Sequence, residues 1–304
     1  MKESQFYKKA ELALRMLPIV YTDQSLALKG GSAINYYVRD FPRLSVDLDL
    51  TYVPVIDRTS SLQNITQSLI KISERAQKDI QDISIIPKRL SDGTISTLLV
   101  KEESTQIKVE VNLVIRGTIH PCNDMNMCPL GVAMLEQAPK ARVLSFPDLY
   151  GGKIYAALDR QHPRDLFDIK LLLENESLTE EVRKAFIVYL ISHSRSMVEL
   201  LDPHFKDLRP VFENEFQGMT REPVTLQDLI NVRKNLIQRI HHDLTNNERR
   251  FILSVKDRHP DWSLLGIQNV ENLPAVQWKL KNLNRMNDKR HNDAVEKLKQ
   301  CLKL

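Results

Sequence analysis

Two short motifs decide the fold: Gly30-Gly31-Ser32 and, starting thirteen residues after that serine, Ser45-Val46-Asp47-Leu48-Asp49. A short apolar segment at 25–29 runs into the glycines, and the pattern after them predicts a short helix over 33–40. Free backbone N–H groups at the start of a helix, together with a serine hydroxyl, favour an anion such as a phosphate. Taken alone, Gly-Gly-Ser is more typical of an ordinary turn, so the phosphate interpretation depends on the second motif.

The second motif lies in a pattern typical of a β-strand, because apolar residues at even positions from 44 to 50 alternate with polar ones. Asp47 and Asp49 therefore face the same side, with Cα atoms about 6–7 Å apart. Adjacent carboxylates repel each other, and their hard oxygens suit Mg²⁺ or Mn²⁺. The alternative is the polar face of a half-exposed edge strand, which an isolated Asp-x-Asp usually represents.

A third carboxylate, Glu110, lies inside a predicted strand over 107–115. An amphipathic helix over 60–81 and strands over 83–86 and 95–100 are predicted before it. If this strand pairs beside that of Asp47 and Asp49, three carboxylates converge. The order Gly-Ser, Asp-x-Asp and a later strand acid resembles the arrangement of nucleotidyltransferases.

A second glycine pair opens another polar cluster, Gly151-Gly152-Lys153 followed by Pro163-Arg164-Asp165-Leu166-Phe167-Asp168. Lys153 is expected to reach a triphosphate as a point charge, and Arg164 with its planar fork. Asp165 and Asp168 are three apart and share a helical face. If this helix is considered without the other motifs, we favour an alternative. In it, Arg164 and Asp168 form a surface ion pair and Lys153 extends along the surface.

The chain has 304 residues, which indicates two domains. We predict an α+β domain over 1–143, ending in an irregular connector at 117–142, and a helical domain over 144–304. Helices are predicted near 147–160, 164–175, 179–193, 225–242 and 276–302, from apolar spacing and from the punctuating Thr179, Thr225 and Pro163.

Composition excludes several classes of protein. Hydrophobic residues make up 42% and charged residues 27%, which excludes a wholly disordered chain. No apolar stretch approaches the ~20 residues that span a bilayer, so no membrane partner is expected. The start, Met1-Lys2-Glu3-Ser4-Gln5, has mixed charge and leads into no apolar run, so a secretory signal is not indicated and the cytoplasm is the expected location.

Cysteine usage and charge add two further expectations. Cys122 and Cys128, with His120 nearby, have five residues between them, against about two to four in a zinc knuckle, so we favour a plain loop. Residues 231–304 hold 15 Lys/Arg against eight Asp/Glu, a net charge of +7. Such a basic segment suits a polyanion such as RNA, although a solvated helical surface explains the charge equally well.

Four motifs in this order together resemble the AbiEii/AbiGii toxin family, over roughly residues 25–175. They are Gly30-Gly31-Ser32, Arg43-Leu44-Ser45-Val46-Asp47-Leu48-Asp49, Lys153-Ile154-Tyr155-Ala156-Ala157-Leu158 and Arg164-Asp165-Leu166-Phe167-Asp168. The family comprises nucleotidyltransferase-like toxins of abortive-infection and type IV toxin–antitoxin loci, with mycobacterial relatives that modify tRNA. The basic segment 231–304 matches none of its motifs.

The resemblance implies a DNA polymerase β-like nucleotidyltransferase fold and assigns roles to the matching positions. Asp47 and Asp49 are expected to bind metal. Nucleotide contacts are expected from Gly31, Ser32, Arg43, Ser45, Lys153, Arg164 and Asp165. The resemblance leaves open which acid of the last motif completes the site, and we favour Asp168, with Asp165 orienting the helix. Glu110 is assigned from its strand position alone.

The implied function is Mg²⁺-dependent transfer of a nucleoside monophosphate from an NTP to an RNA hydroxyl, with the 3′ end of tRNA as the expected acceptor. Such modification would block translation in a toxin–antitoxin or phage-defence system, and the resemblance also implies a cognate antitoxin. Two alternatives stay open. One is transfer to a small molecule, for which the basic segment would be unnecessary, or to a protein. The other is a non-catalytic NTP-binding module.

Overall fold

A computed structural model describes residues 5–304, so residues 1–4, on which the signal-peptide prediction partly rests, lie outside the described part. The chain divides into two compact units. The first unit comprises Met1–Ser145 and Phe216–Pro223, and the second comprises Phe146–Glu215 and Val224–Leu304. Between residues 5 and 304, no helix has the length and apolar character needed to cross a membrane.

The first unit is built on a seven-stranded mixed sheet with the strand order β3-β4-β5-β2-β1-β7-β6. The strand β2 runs parallel to β5, β1 runs parallel to β7, and the other neighbours are antiparallel. The strands are β1 Leu26–Lys29, β2 Leu48–Tyr52, β3 Ile83–Arg89, β4 Ile95–Glu102, β5 Thr105–Asn112, β6 Asn123–Asn126 and β7 Lys140–Val143.

The two faces of this sheet differ in polarity. Leu28, Leu50 and Val109 belong to an apolar face whose side chains are at most 2% exposed. Helix α1 (Gln5–Tyr21) packs against β5 and β7, and α3 (Arg58–Asp79) packs against β4. Burial of this face supplies the hydrophobic core of the unit. The alternate residues of β2 and β5 leave the opposite face polar.

Two predicted features of this unit are wrong in detail. The strand predicted from residue 44 begins only at Leu48, because the preceding backbone is bonded elsewhere: the Leu44 N–H donates to the Met219 carbonyl at 2.9 Å, and Arg43 pairs with Thr220. The connector predicted as irregular contains β6, β7 and helix α4 (Pro129–Leu135). Both strands have only four residues, too few to show a clear alternation.

After β1 the chain turns directly into the helix α2 (Gly30–Ala33), which continues as a π-helix over Ile34–Val38. The predicted helix over 33–40 therefore begins three residues earlier, at the first glycine. Its start lies at the end of β1, beside the beginning of the antiparallel β2. This local topology brings the Gly-Ser motif to the Asp-x-Asp motif.

The second unit is helical. Its helices are α5 Phe146–Asp159, α6 Pro163–Asn175, α7 Glu180–Ser192, α8 Met197–Leu201, α9 Arg209–Glu215, α10 Leu226–Asp243, α11 Asn246–Lys256, α12 Pro274–Asn284 and α13 Asp288–Leu302. The single helix predicted over 276–302 is two helices, because Asn287 starts a new one by accepting a hydrogen bond from the Lys289 N–H.

The glycines at 151 and 152 serve helix packing. A Cβ atom on Gly151 would lie 2.8 Å from the carbonyl carbon of Ala185, and one on Gly152 would lie 3.2 Å from the ring of Tyr189. Both neighbours belong to α7, so the small residues of α5 allow the two helices to approach closely. Close approach of α7 is thus the local reason for this glycine pair.

Candidate active site

The Gly-Ser turn and the Asp-x-Asp motif are joined by the hydroxyl of Ser32. Its Oγ donates to the carbonyl of Asp47 at 2.5 Å and lies 3.0 Å from the Oγ of Ser45. Ser32 is 1% exposed. A buried hydroxyl with protein partners orders its surroundings, so Ser32 holds the two motifs in one arrangement.

Tyr36 is a second support of the same segment, and the sequence analysis missed it. Its hydroxyl donates to the Ser45 carbonyl at 2.5 Å and accepts from the Ser45 N–H at 2.8 Å. Burial raises the pKa of Tyr36 well above its usual range, although the Ser45 hydrogen bond and the charge of Arg43 oppose that rise. Its spacing could have indicated this role, because Tyr36 follows Ser32 by four residues, or about one helical turn, and so lies on the same helix face.

The two glycines of the first motif make room for different neighbours. Gly30 has φ +70°, and a Cβ atom there would lie 2.6 Å from Oδ2 of Asp49. A Cβ atom on Gly31 would lie 2.8 Å from both Nη2 of Arg43 and Oγ of Ser45. The pair therefore permits a left-handed turn and direct contact with the polar groups of the second motif.

The carboxylates lie on the polar face of the sheet. The predicted pairing of the strands is confirmed: β2 and β5 are neighbours, and Asp49 is in register with Glu110. Antiparallel pairing places Lys29 opposite Asp49 on the other side. Asp47 precedes β2, and its Oδ1 accepts from the Lys108 N–H at 2.9 Å. Asp47 and Asp49 are half-buried and Glu110 is exposed, so the row opens towards solvent.

The fit of these acids to a divalent cation depends on how many ligands the ion needs from protein. Among residues 5–304, no group of three or more His, Cys, Asp or Glu side chains is arranged to hold a metal ion. Mg²⁺ at phosphoryl-transfer sites needs only one or two carboxylates, because water and substrate phosphates complete its shell. Asp47 and Asp49 fit this mode, and a complete protein cage is not formed.

Arg43, which is expected to contact the nucleotide, is buried and does not face solvent. Its side chain is 2% exposed, and its Nη1 donates to the carbonyl of Leu44 at 2.8 Å. The guanidinium also lies close to Gly31, because a Cβ atom on that residue would lie 2.8 Å from Nη2 of Arg43. Arg43 therefore supports the loop between the two motifs from inside.

The second cluster lies in the second unit, where Lys153 of α5 forms ion pairs with two acids of α6. Its Nζ is 2.9 Å from Oδ1 of Asp165 and 2.9 Å from Oδ2 of Asp168. Nη2 of Arg160 donates to Oδ1 of Asp165 at 2.8 Å. Lys153 is 5% exposed and both acids are fully buried, so Lys153 does not extend along the surface as the alternative interpretation required.

The charges in this cluster compensate one another. Burial alone would raise the pKa of Asp165, but the charges of Lys153 and Arg160 and their hydrogen bonds outweigh burial and hold the pKa well below its usual range. The carboxylate therefore stays ionised in the interior. Such a buried, fully paired cluster joins α5 to α6 in one geometry.

Arg164 lies outside this buried cluster, in the first turn of α6. His162 caps the helix by accepting from the Arg164 N–H at 3.1 Å. Burial, and then the charge of Arg164, lower the pKa of His162. The Arg164 side chain is partly exposed, and its Nη2 is 3.9 Å from Oε2 of Glu215.

The predicted site residues thus form two groups. The first unit brings together Gly31, Ser32, Arg43, Ser45, Asp47, Asp49 and Glu110. The second unit brings together Lys153, Asp165 and Asp168, while Arg164 lies outside that cluster in the first turn of α6. The sequence analysis missed Tyr36, Lys29 and Arg160 as members of these groups. Register alone could have indicated Lys29, because it ends the strand that pairs with the one carrying Asp49.

Comparison with known proteins gives two findings. Residues 12–282 match a family model described as nucleotidyl transferase AbiEii toxin, type IV toxin–antitoxin system. The structure is similar to that of MenT4, a nucleotidyltransferase toxin from Mycobacterium tuberculosis H37Rv, with a TM-score of 0.60 and 15% sequence identity over 91% of this chain and 93% of that one. A search of the curated proteins gives no match.

The structural likeness confirms the predicted fold class, an α+β nucleotidyltransferase fold followed by a helical part. The family match extends the resemblance well beyond residue 175, to most of the chain. From this match, the chain belongs to the AbiEii family of nucleotidyltransferase toxins of type IV toxin–antitoxin systems.

Proposed function

We propose that the protein transfers a nucleoside monophosphate from an NTP to an RNA hydroxyl, at the 3′ end of tRNA, and so blocks translation until a cognate antitoxin counteracts it. One observation carries the proposal: Ser32 ties the Gly-Ser turn to Asp47 at 2.5 Å, while Oδ2 of Asp49 lies 2.6 Å from the position that a Cβ atom on Gly30 would occupy. A phosphate-binding turn and a carboxylate pair held together are what nucleotidyl transfer requires.

In the reaction, the acceptor hydroxyl oxygen forms a bond to the α-phosphorus, and the bond from that phosphorus to the bridging oxygen breaks. Pyrophosphate leaves with the bonding electrons, and the hydroxyl loses its proton. Glu110 is exposed beside Asp49 and is suited to accept that proton. Asp47 and Asp49 would hold Mg²⁺ or Mn²⁺. When bound, the metal neutralises phosphate charge and favours ionisation of the hydroxyl.

The cluster of the second unit has a supporting part in this proposal. An ammonium group has three N–H donors, and the two ion pairs of Lys153 leave one for a nucleotide. Arg164 is partly exposed and suits a bidentate contact to phosphate. We assign Asp168 as the acid that completes the site and Asp165 as the one that holds α6 in position.

Charge supports a polyanionic acceptor, although part of the basic excess is internal. Arg249 and Arg258 donate to backbone carbonyls at helix ends, and Arg233 is buried. The exposed remainder lies on α10 to α13 and comprises Lys234, Arg250, Lys281, Arg285, Lys289, Arg290, Lys297, Lys299 and Lys303. Such a surface favours RNA over a small uncharged acceptor.

The test is label transfer from each α-³²P-NTP to total bacterial RNA, with Mg²⁺ or Mn²⁺ and with EDTA. We expect label on tRNA-sized RNA with the wild type, and none with EDTA or with Asp49→Asn. Asp79→Asn is the matched control, because Asp79 is an exposed acid at the end of α3 and is expected to keep full activity.

The other outcomes separate the alternatives. Full activity of Asp49→Asn would overturn the metal assignment. A blank result with all four NTPs would exclude RNA as the acceptor and favour a small molecule or a protein. Thermal stabilisation by an NTP without any labelled product would favour a non-catalytic binding module.

A further inference from the structure

The second unit contains a cavity, lined by polar and apolar side chains, that is remote in sequence from every family motif. Its volume is about 650 Å³, within the range of small-ligand sites. It lies between the segment that joins α7 to α8 and the helices α12 and α13. The lining residues that carry polar or charged groups include Ser194, Ser196, Glu199, Lys256, Lys279, Asn282, Arg290, Asp293 and Lys297.

Positive charge exceeds negative charge around this cavity. Four cations line it, Lys256, Lys279, Arg290 and Lys297, against the acids Glu199 and Asp293. Glu199 is already paired, because its Oε2 is 3.2 Å from Nε of Arg195. The cavity therefore offers more positive charge than its own acids neutralise, which suits an anionic ligand.

Two of the lining cations, Lys279 and Lys256, influence each other electrostatically. Lys279 is 8% exposed, and its Nζ donates to the carbonyls of His193 at 2.6 Å and Arg195 at 2.9 Å. Burial, and then the charge of Lys256, lower the pKa of Lys279 to about 8. Burial, and then the charge of Arg258, lower the pKa of Lys256. Without an anion these like charges repel one another, and a bound phosphate would relieve the repulsion.

An exposed aromatic ring lies next to the cavity on α12. Trp278 is 50% exposed and precedes the cavity residue Asn282 by one helical turn, so the two share a face. Nζ of Lys281 lies 5.9 Å from the centre of the indole ring. An exposed indole beside cations is the combination with which proteins bind single-stranded nucleic acid, because bases stack on aromatic rings while cations bind phosphates.

We propose that this cavity binds a backbone phosphate of an unpaired RNA segment, with a neighbouring base stacked on Trp278. The inference rests on RNA being the acceptor and adds a docking site within the second unit. The phosphate is favoured by the cation excess together with the hydrogen-bond donors Ser194, Ser196 and Asn282. A polymer is favoured over a free anion because the indole and Lys281 extend the basic surface beyond the cavity.

The experiment measures binding without catalysis. A fluorescein-labelled single-stranded RNA is titrated with the full chain in EDTA and without NTP, and anisotropy reports the Kd. Arg290→Gln/Lys297→Gln is compared with Lys289→Gln/Lys299→Gln. The second pair is the matched control, since both pairs remove two charges from exposed positions of α13 and only the first lines the cavity.

We expect the cavity pair to raise the Kd about tenfold or more and to reduce the salt dependence of log K by about one, as for the loss of one phosphate contact, with a much smaller change for the control pair. Trp278→Leu is expected to weaken binding with little change in salt dependence, because stacking carries no charge. The binding measurement needs neither metal nor NTP. A failure of label transfer therefore leaves this result intact, and the two proposals are tested separately.

Two results would overturn the inference. Equal weakening by the two double variants would mean that RNA is attracted by overall charge and has no site at the cavity. Displacement of the labelled RNA by inorganic phosphate or a mononucleotide at a concentration close to that of an unlabelled RNA competitor would mean that the cavity takes a free phosphate compound.

Discussion

Oδ2 of Asp49 occupies the space beside Gly30, where a Cβ atom on that residue would approach it to 2.6 Å. The two residues are nineteen positions apart and come from the two motifs that define the site. Since Gly30 has φ +70°, its backbone conformation and its missing side chain are both needed for the carboxylate to lie where it does. Gly30 therefore helps to fix the position of the Asp49 carboxylate.

The first prediction concerns this contact. Gly30→Ala introduces a left-handed alanine, at a cost of about 1–2 kcal/mol in the free energy of unfolding. It also displaces the Asp49 carboxylate. A displacement of about 1 Å can lower a reaction rate about a hundredfold, so we expect such a loss in the label-transfer assay.

Gly93→Ala is the control for Gly30→Ala. Gly93 has φ +83°, and no atom lies within 4 Å of the position that a Cβ atom would occupy. An alanine there therefore has the same backbone strain as one at position 30 but makes no close contact. It should lose similar stability and keep its transfer activity. Equal loss of activity in both variants would show that backbone strain alone accounts for the effect.

The second prediction concerns Tyr36, which holds both backbone groups of Ser45. Tyr36→Phe leaves that buried N–H and carbonyl without their partner, so we expect about 1–3 kcal/mol of lost stability. The segment that carries Asp47 should also loosen, which would lower the rate of transfer. Urea unfolding and the label-transfer assay measure the two effects, and an unchanged free energy of unfolding would contradict the assigned support.

The third prediction concerns the buried cluster of α5 and α6. Lys153→Met removes the cation that two buried acids share, so we expect a loss of about 3–5 kcal/mol in stability. In Lys153→Met/Asp168→Asn one of those acids is neutral, so thermal unfolding should show partial recovery. If the double variant is no more stable than the single one, Lys153 does not compensate Asp168.

The fourth prediction is a pH dependence. The pKa of Asp165 is depressed in the folded protein, so the stability gained from its ionisation is present above the unfolded pKa of about 3.9 and is lost as pH falls towards the folded value. Asp165→Asn should be less stable than the wild type at pH 7, and the difference should shrink below about pH 4. A difference that stays constant from pH 7 to pH 3 would contradict this assignment.

Local pattern predicted much of the first unit. The amphipathic helix, the strand that carries Glu110 and the convergence of the two motifs follow from periodicity and turn residues, which act over short distances. The strand predicted from residue 44 failed because Leu44 is bonded to Met219, and a partner so distant in sequence leaves no local pattern. The short strands β6 and β7 were missed for a related reason, since only pairing with β1 and with each other defines them.

Burial was the least predictable property of the candidate site. Lys153 and Arg43 have side chains that usually reach solvent, and nothing in their own neighbourhood indicates that both are almost fully buried. Partners from other elements make that burial possible: two acids of α6 for Lys153, and the loop before β2 for Arg43. The charged residues could be recognised from sequence, whereas their depth could not.

The return of residues 216–223 to the first unit has a consequence for biosynthesis. The Leu44 N–H donates to the Met219 carbonyl, and the Pro42 carbonyl accepts from the Arg221 N–H. The loop that precedes Asp47 therefore cannot take its final form on the ribosome until residue 221 has emerged. The first unit of this toxin therefore completes its fold only after Phe146–Glu215 of the second unit has been translated.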